Sequence, residues 1–483
     1  MRKLEGLKPE RVFYYFEEIS KIPRESANEK AVSDYLVDTA KNLGLEYFRD
    51  ENLNVIIRKK ATKGYEKLPG VVLQGHMDMV CEKEIDSNHD FKKDPIDLVV
   101  DGEYIRANKT TLGGDNGIAV AMALAVLEDK ELQHPDIEFL ATTEEETTMN
   151  GALSLKPGIL KGKMLINIDS EEEGILTAGC AGGLGVTINF KPKKEIIDKT
   201  LYNFVRLEVK KLFGGHSGME INTGKANANK VLNEMLIDLT DKFNLKFFAV
   251  NGGSKDNAIP RNCSIDLAVD KNQKSDFDKY LKDLEFKIKN IYKEEKELEI
   301  ESKNLDAVEE VFSYESLKTF IRLIKDIPTG PNTMMTEYPD IVESSDNLAI
   351  IKTVSDEINI IVSLRSSDPK VLKDLANKIS NIAEENEATY KLSDGYPEWI
   401  YRKNSFLRDK AVEVYKEMFG EEMEITVIHA GLECGAISQA YPDMDMISIG
   451  PNMYDVHTPK ERMEIASIAK YYDYIKKLLK ELK

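Results

Sequence analysis

Cysteine is scarce in this chain: four residues in 483, at positions 81, 180, 263 and 434, with no C-x-x-C pair. That spacing argues against a disulfide framework or a cysteine zinc site and fits a reducing compartment. Positive charge is also in deficit, with a formal net charge of −19. Nucleic acids and anionic membranes both require a basic footprint, so neither is an expected partner. Long apolar runs are missing too. Nothing approaches the ~20 residues of a membrane span, and Met1–Gly6 carries no apolar segment of signal-peptide type. The expected location is cytoplasmic.

What is present is ordinary globular composition, 42% hydrophobic and 31% charged, over a length too great for one core. Two domains are expected. The bland reading of the acidity is solubility, with a few carboxylates left over for chemistry.

The stretch Gly75-His76-Met77-Asp78-Met79 follows an apolar run, Val71–Leu73, that reads as a buried strand. A histidine and an aspartate just past a strand end stand where an open α/β sheet presents its ligands. Alone, such a histidine is more often structural. Other strands, however, end in similar chemistry. Ile137–Ala141 runs into Thr142-Thr143-Glu144-Glu145-Glu146, and Met164–Ile168 runs into Asp169. Asp115 lies in Leu112-Gly113-Gly114-Asp115-Asn116-Gly117, ahead of an apolar, alanine-rich helix. It reads equally as an N-cap and as a ligand in a loop whose glycines admit close backbone approach. Two patterns read as capping boxes: Ser26-x-x-Glu29 opening a helix that ends near Gly44, and Thr458-x-x-Glu461 opening the last helix. The second places His457 just before a helix N-terminus, where a neutral ligand is favoured over a cation.

From about Leu184 to Tyr396 the texture changes to alternating strands between charged helices. From Tyr202 the order is strand, helix, two strands, helix, strand, the ferredoxin-like order. A less complete copy follows: helix Tyr314–Lys325, strands Asn347–Val354 and Ile358–Arg365, helix Pro369–Asn386 and strand Thr389–Leu392. The expected plan is an α/β catalytic domain in two parts, 1–183 and 397–483, with an α+β domain inserted at 184–396 and an internal duplication inside it.

His76, Asp78, Asp115, Glu145, Glu146, Asp169 and His457 then form one set. A parallel sheet would gather such positions along one edge. Two histidines with several carboxylates suit zinc, manganese or cobalt, and their number fits two ions sharing a bridging carboxylate.

Taken together, these motifs resemble the aminoacyl-histidine dipeptidases, carnosinase-like members of the co-catalytic zinc peptidase family that also includes aminoacylases and carboxypeptidases. Further matching pieces are Gly214-Gly215-His216-Ser217-Gly218, Asn257-Ala258-Ile259-Pro260-Arg261 and His429–Gly435. The resemblance covers nearly the whole chain. It departs at Thr147-Thr148, where relatives tend to have Ala-Gly. It implies a mixed sheet flanked by helices and an inserted lid. It further implies two divalent ions, zinc before cobalt or manganese. His76 and Asp169 would hold one ion, Glu146 and His457 the other, and Asp115 would bridge them. Asp78 would orient His76, Glu145 would be the general base and His216 the oxyanion donor, acting in cis or from a partner chain of a homodimer formed through the lid.

Asn257 is expected near His216. Arg365 reads as a clamp for a substrate carboxylate or as a surface arginine. Glu433 reads as a partner for a free amino terminus or as an ordinary acidic loop residue. The implied activity is hydrolysis of unblocked dipeptides, Xaa-His preferred. The alternatives are an aminoacylase or carboxypeptidase of the same superfamily, or a non-catalytic binding protein on this fold.

Overall fold

A computed structural model describes residues 2–336 and 338–483. The chain divides into two compact units. The first comprises residues 1–180, 399–427 and 432–483, and the second comprises 181–398 and 428–431.

The first unit is built on an eight-stranded sheet. Its order is Glu46–Arg49, Val55–Lys59, Ile137–Thr142, Val71–His76, Met164–Asn167, Asp445–Ser448, Ile175–Cys180 and Glu424–Ile428. The middle four strands, Ile137–Thr142 to Asp445–Ser448, run parallel. Antiparallel strands flank them, at Val55–Lys59 and Ile175–Cys180. Ile137–Thr142, Val71–His76 and Met164–Asn167 are buried at every position. Strands covered on both faces carry no alternating pattern, which is why these read as continuous apolar runs. One covering element is the helix Gly114–Glu128, apolar around its whole circumference and almost entirely buried. The parallel strands end on one edge, with His76 at the last position of its strand and Asp169 two residues beyond another. A separate four-stranded sheet (Met453–Tyr454, Arg462–Glu464, Tyr104–Ala107, Leu98–Asp101) carries the segment that includes His457.

Neither expected capping box caps a helix. The helix Lys30–Leu43 has Glu29 at its N-cap without a side-chain cap bond, although it does end on Gly44 with φ +69°. The last helix spans Ile465–Glu481, so His457 lies eight residues before it, with φ +61°. Ser26, Glu29 and Glu461 make long-range bonds instead, described below. His134, in the loop before the strand Ile137–Thr142, is fully buried.

The second unit is one eleven-stranded sheet with helices Ala228–Thr240, Lys274–Ile291, Tyr314–Asp326 and Pro369–Glu385. Its main order is Glu299–Asn304, Tyr202–Lys210, Cys263–Asp270, Lys246–Gly252, Val342–Val354, Glu357–Ser366, Gly182–Phe190 and Thr389–Leu392. The first four strands follow one β-α-β-β-α-β connection. The last four repeat the same spatial order once Gly182–Phe190 is counted as the first strand. The less complete copy therefore has its missing strand ahead of the other, which is threaded between Gly182–Phe190 and the helix Tyr314–Asp326. The halves join where Lys246–Gly252 pairs with Val342–Val354. Among the described residues, no helix is long and apolar enough to cross a membrane.

Gly75 shows how tightly the first unit is packed behind its ligands. A Cβ there would meet the Asn116 side chain and lie 2.6 Å from Ala119 Cβ. Gly75→Ala should therefore destabilise the protein by about 1–3 kcal/mol, as overpacking does. Thermal unfolding of metal-free protein checks this; an unchanged midpoint would show that the helix yields freely.

Candidate metal centre and active site

The parallel strands and the glycine loop converge on one cluster of side chains in the first unit. Asp115, at the start of its helix, points one carboxylate oxygen at each of two histidines. Its Oδ1 lies 3.1 Å from His76 Nε2, and its Oδ2 lies 3.1 Å from His457 Nε2. On the His76 side, Asp169 Oδ1 is 3.5 Å from the ring Nε2. On the His457 side, Glu146 Oε2 is 3.0 Å from Nε2. Ligand atoms of His76, Asp115 and Glu146 all lie within 4.8 Å of one another. Glu145 Oε2 is 3.9 Å from His76 Nε2, facing the same space.

Asp78 points away from this space and holds the cluster from behind. Its Oδ1 is 3.3 Å from His76 Nδ1 and accepts from the Glu145 N–H at 3.2 Å. Its Oδ2 accepts from the Glu146 N–H at 3.2 Å and from the Ser26 hydroxyl at 2.7 Å. Burial would raise the Asp78 carboxyl, but His76, Ser26 and the Glu146 N–H hold it below the usual range. It stays ionised, fixing the His76 ring and the backbone of Glu145 and Glu146 together.

The electrostatics reflect crowded carboxylates. Burial, then the charges of Asp169, Glu146 and Glu433, raise Glu145 well above the ordinary value, although His76 opposes them. Burial disfavours a charged His76, yet Asp169, Asp115 and Asp78 outweigh it and raise its pKa strongly. Bonds to Asp115 and Glu146 push His457 up to about 11.

Glu433 also belongs to this unit. It is not a solvated loop residue: it opens the helix Glu433–Ala440 and is 0% exposed. Its Oε2 accepts from Gln74 Nε2 at 2.6 Å and from Thr142 Oγ1 at 2.7 Å.

His216, Asn257 and Arg365 lie in the second unit. His216 Nδ1 accepts from the Gly218 and Met219 N–H groups at 3.2 and 3.1 Å. That assignment places the ring proton on Nε2, making it a donor. The Asn257 carbonyl accepts from the Ser217 N–H at 2.8 Å, which ties the two motifs together. Arg365 is buried rather than superficial, with one guanidinium N–H donating to the Tyr396 hydroxyl at 2.6 Å. His429 Nε2 meets Ser345 Oγ at 2.7 Å. Burial, then the charges of Arg365 and His216, push the His429 pKa down to about 3, so this ring is neutral.

Residues 72–481 match the profile of Peptidase family M20/M25/M40. The chain belongs to this family. It is 36% identical over 483 residues to the "Cytosol non-specific dipeptidase" of Escherichia coli (strain K12), covering 100% of this chain and 99% of that one. It is also similar to the crystal structure of aminoacylhistidine dipeptidase from Vibrio alginolyticus. That match has TM-score 0.85 and 35% identity, over 99% of this chain and 97% of that one. The aminopeptidase PepT structure from Bacillus cereus shares the fold, with TM-score 0.56 and 15% identity over 99% of both chains.

This peptidase family implies a divalent cation, and the donor set fits one. Glu146 Oε1 and Asp169 Oδ1 are buried without hydrogen-bond partners. Uncompensated carboxylate oxygens of this kind are costly unless a cation faces them.

Three supports of the centre were not read as such in the sequence: Glu29 and Glu461 stood out only as capping-box residues, and Arg24 did not stand out at all. Glu29 Oε1 accepts from the Glu144 N–H at 2.9 Å and steadies the glutamate run. Arg24 donates to the carbonyls of Met77 and Asp78 at 3.1 and 2.7 Å and to that of Gly113. It thereby joins the His76 strand to the Asp115 loop. Glu461 accepts from the backbone of Leu112 to Asp115.

The raised histidine values have a definite sign. A histidine whose folded pKa is raised contributes stability below its unfolded value of about 6.5 and loses it as pH climbs through the folded value. The neighbouring carboxylates therefore favour the protonated imidazoles, with His457 at about 11, so a binding cation competes with protons. Zinc titrated calorimetrically into metal-free protein should release protons, and its apparent affinity should rise from about pH 6 to about pH 8. Uptake that is independent of pH and releases no protons would contradict this assignment.

Proposed function

We propose that this peptidase hydrolyses unblocked dipeptides, those with C-terminal histidine preferentially, at a centre of two divalent cations, zinc before cobalt or manganese. The observation that carries the reading is Asp115, whose two oxygens each face a different histidine at 3.1 Å. His76 and Asp169 would hold one ion, His457 and Glu146 the other, and Asp115 would serve both. The dipeptidase relatives support the substrate class, and the cytosolic one supports a cytosolic setting.

Bound there, divalent cations acidify water and polarise the scissile carbonyl. The protein's own groups do the rest. Glu145, beside the ligands, takes a proton from the attacking water and returns it to the leaving amine. Burial and the charges of Asp169, Glu146 and Glu433 hold the Glu145 carboxyl above the ordinary value, which favours its role as a proton carrier. Asp78 keeps His76 aimed and holds the Glu145 backbone in place. His216, with the proton on Nε2, donates to the developing oxyanion. Asn257 orders the turn beside it, and Arg365, rigid in its buried seat, pairs with the substrate's terminal carboxylate. The second unit would then act as a lid. Glu433 is bonded to Gln74 and Thr142 through Oε2 while its Oε1 is buried without a partner, and that oxygen would be the one to meet a free amino terminus.

A dipeptide panel on metal-loaded protein tests this directly. Turnover should disappear with chelator and return with zinc, cobalt or manganese. Free dipeptides should be cleaved faster than their N-acetyl forms; the opposite order would identify an aminoacylase. Glu145→Gln should keep its metal content and lose about 10²–10⁴-fold in kcat. Undiminished turnover would remove Glu145 from the chemistry.

A further inference from the structure

The segment that carries His457 poses a positioning problem. His457 is half exposed and sits in a left-handed backbone conformation, outside any helix or strand. His76 and Asp169 stand at or just past strand ends and Asp115 at a helix start, while Glu145 and Glu146 lie on a turn whose backbone Asp78 holds. Something must hold this histidine at 3.1 Å from Asp115 Oδ2 and 3.0 Å from Glu146 Oε2.

Glu461 supplies the connection. Its side chain is buried and extends into the Asp115 loop. Oε2 accepts from the N–H groups of Leu112 and Gly113 at 2.6 and 3.1 Å; Oε1 accepts from those of Gly114 and Asp115 at 2.8 and 3.3 Å. One carboxylate thus gathers four successive backbone donors, which leaves little freedom between the two segments. Met463 packs beside it. A Cβ on Gly114 would lie 2.6 Å from the Met463 sulfur, so a glycine is needed for this approach. Glu461 is four positions after His457, a tether of at most roughly 14 Å when extended.

The Asp115 loop has anchors independent of Glu461. Arg24 donates to the Gly113 carbonyl, and Asn116 Nδ2 donates to the Ile168 carbonyl at 2.7 Å. Asp115 therefore stays anchored through Gly113 and Asn116 without Glu461, whereas the His457 turn, carried by the pairing of Met453–Tyr454 with Arg462–Glu464, would lose its direct bonds to the Asp115 loop.

We propose that Glu461 is a positioning residue that locks the His457 segment onto the backbone of residues 112–115 and so builds the His457–Glu146 half of the metal centre. The inference rests on the two-ion reading above. It assigns to Glu461 a selective effect: the ion on the His457 side weakens, and the ion on the His76 side does not.

The test is metal binding by calorimetry and metal analysis on four proteins: wild type, Glu461→Gln, His457→Ala and the double variant. The unfolding midpoint of each is measured without metal. Gln keeps the length of the side chain but presents one amide nitrogen to N–H groups that need acceptors. Glu461→Gln should bind the ion that His457→Ala also weakens about 10–100-fold less tightly, the usual range for a residue that orients a ligand, with the other ion within about 2-fold of wild type. The double variant should be no worse than His457→Ala, because both changes remove the same half-site. Equal weakening of both ions would overturn the proposal. So would unaltered binding, an effect that adds fully to that of His457→Ala, or loss of folding in Glu461→Gln with metal present. If wild-type protein binds a single ion, the two-ion reading fails, and that result is distinguishable from all of these.

Discussion

Concentrated negative charge is the constraint on which this structure depends. Asp115, Glu145, Glu146 and Asp169 crowd around two imidazoles, with Asp78 behind them. The crowded carboxylates raise the pKa values of both histidines, and burial together with those charges raises Glu145. The fold supplies rigidity against the repulsion: strands buried at every residue, a helix apolar on all faces, and backbone N–H groups turned onto Asp78 and Glu461.

That rigidity is distributed by role. His76 and Asp169 are placed by strand ends, which few substitutions outside the core would disturb. Glu145 and Glu146 lie on an irregular segment that Asp78 and Glu29 must hold through backbone bonds. His457 lies on the turn between Met453–Tyr454 and Arg462–Glu464, which the four-stranded sheet carries and Glu461 ties to the Asp115 loop. The second unit has its own preorganised groups. His216 is fixed in one tautomer by two backbone donors, and Arg365 and His429 are both seated in buried polar surroundings.

Much of this architecture was legible because several apolar runs end in His, Asp or Glu, a pattern ambiguous at any one strand but informative when it recurs. The cluster around Asp115 was legible for the same reason. The misreadings have a common cause. Ser26-x-x-Glu29 and Thr458-x-x-Glu461 carry the local pattern of a capping box, and a pattern of that range cannot register competing donors far away in the chain. Ser26 bonds Asp78, Glu29 bonds the Glu144 N–H, and Glu461 bonds residues 112–115. The repeat in the second unit was half-hidden because its first strand, Gly182–Phe190, precedes the other copy. Arg365 was left open between surface and site because exposure is decided by Tyr396, 31 residues away.

The central claim is that the Asp115 carboxylate is shared between two cations. A crystal structure of zinc-loaded protein, with anomalous difference maps measured at the zinc edge, tests it most directly. The account predicts two peaks roughly 3.5–4 Å apart. One should lie among His76, Asp169 and Asp115, the other among His457, Glu146 and Asp115. A single peak at full loading, or a second peak away from His457, would contradict it.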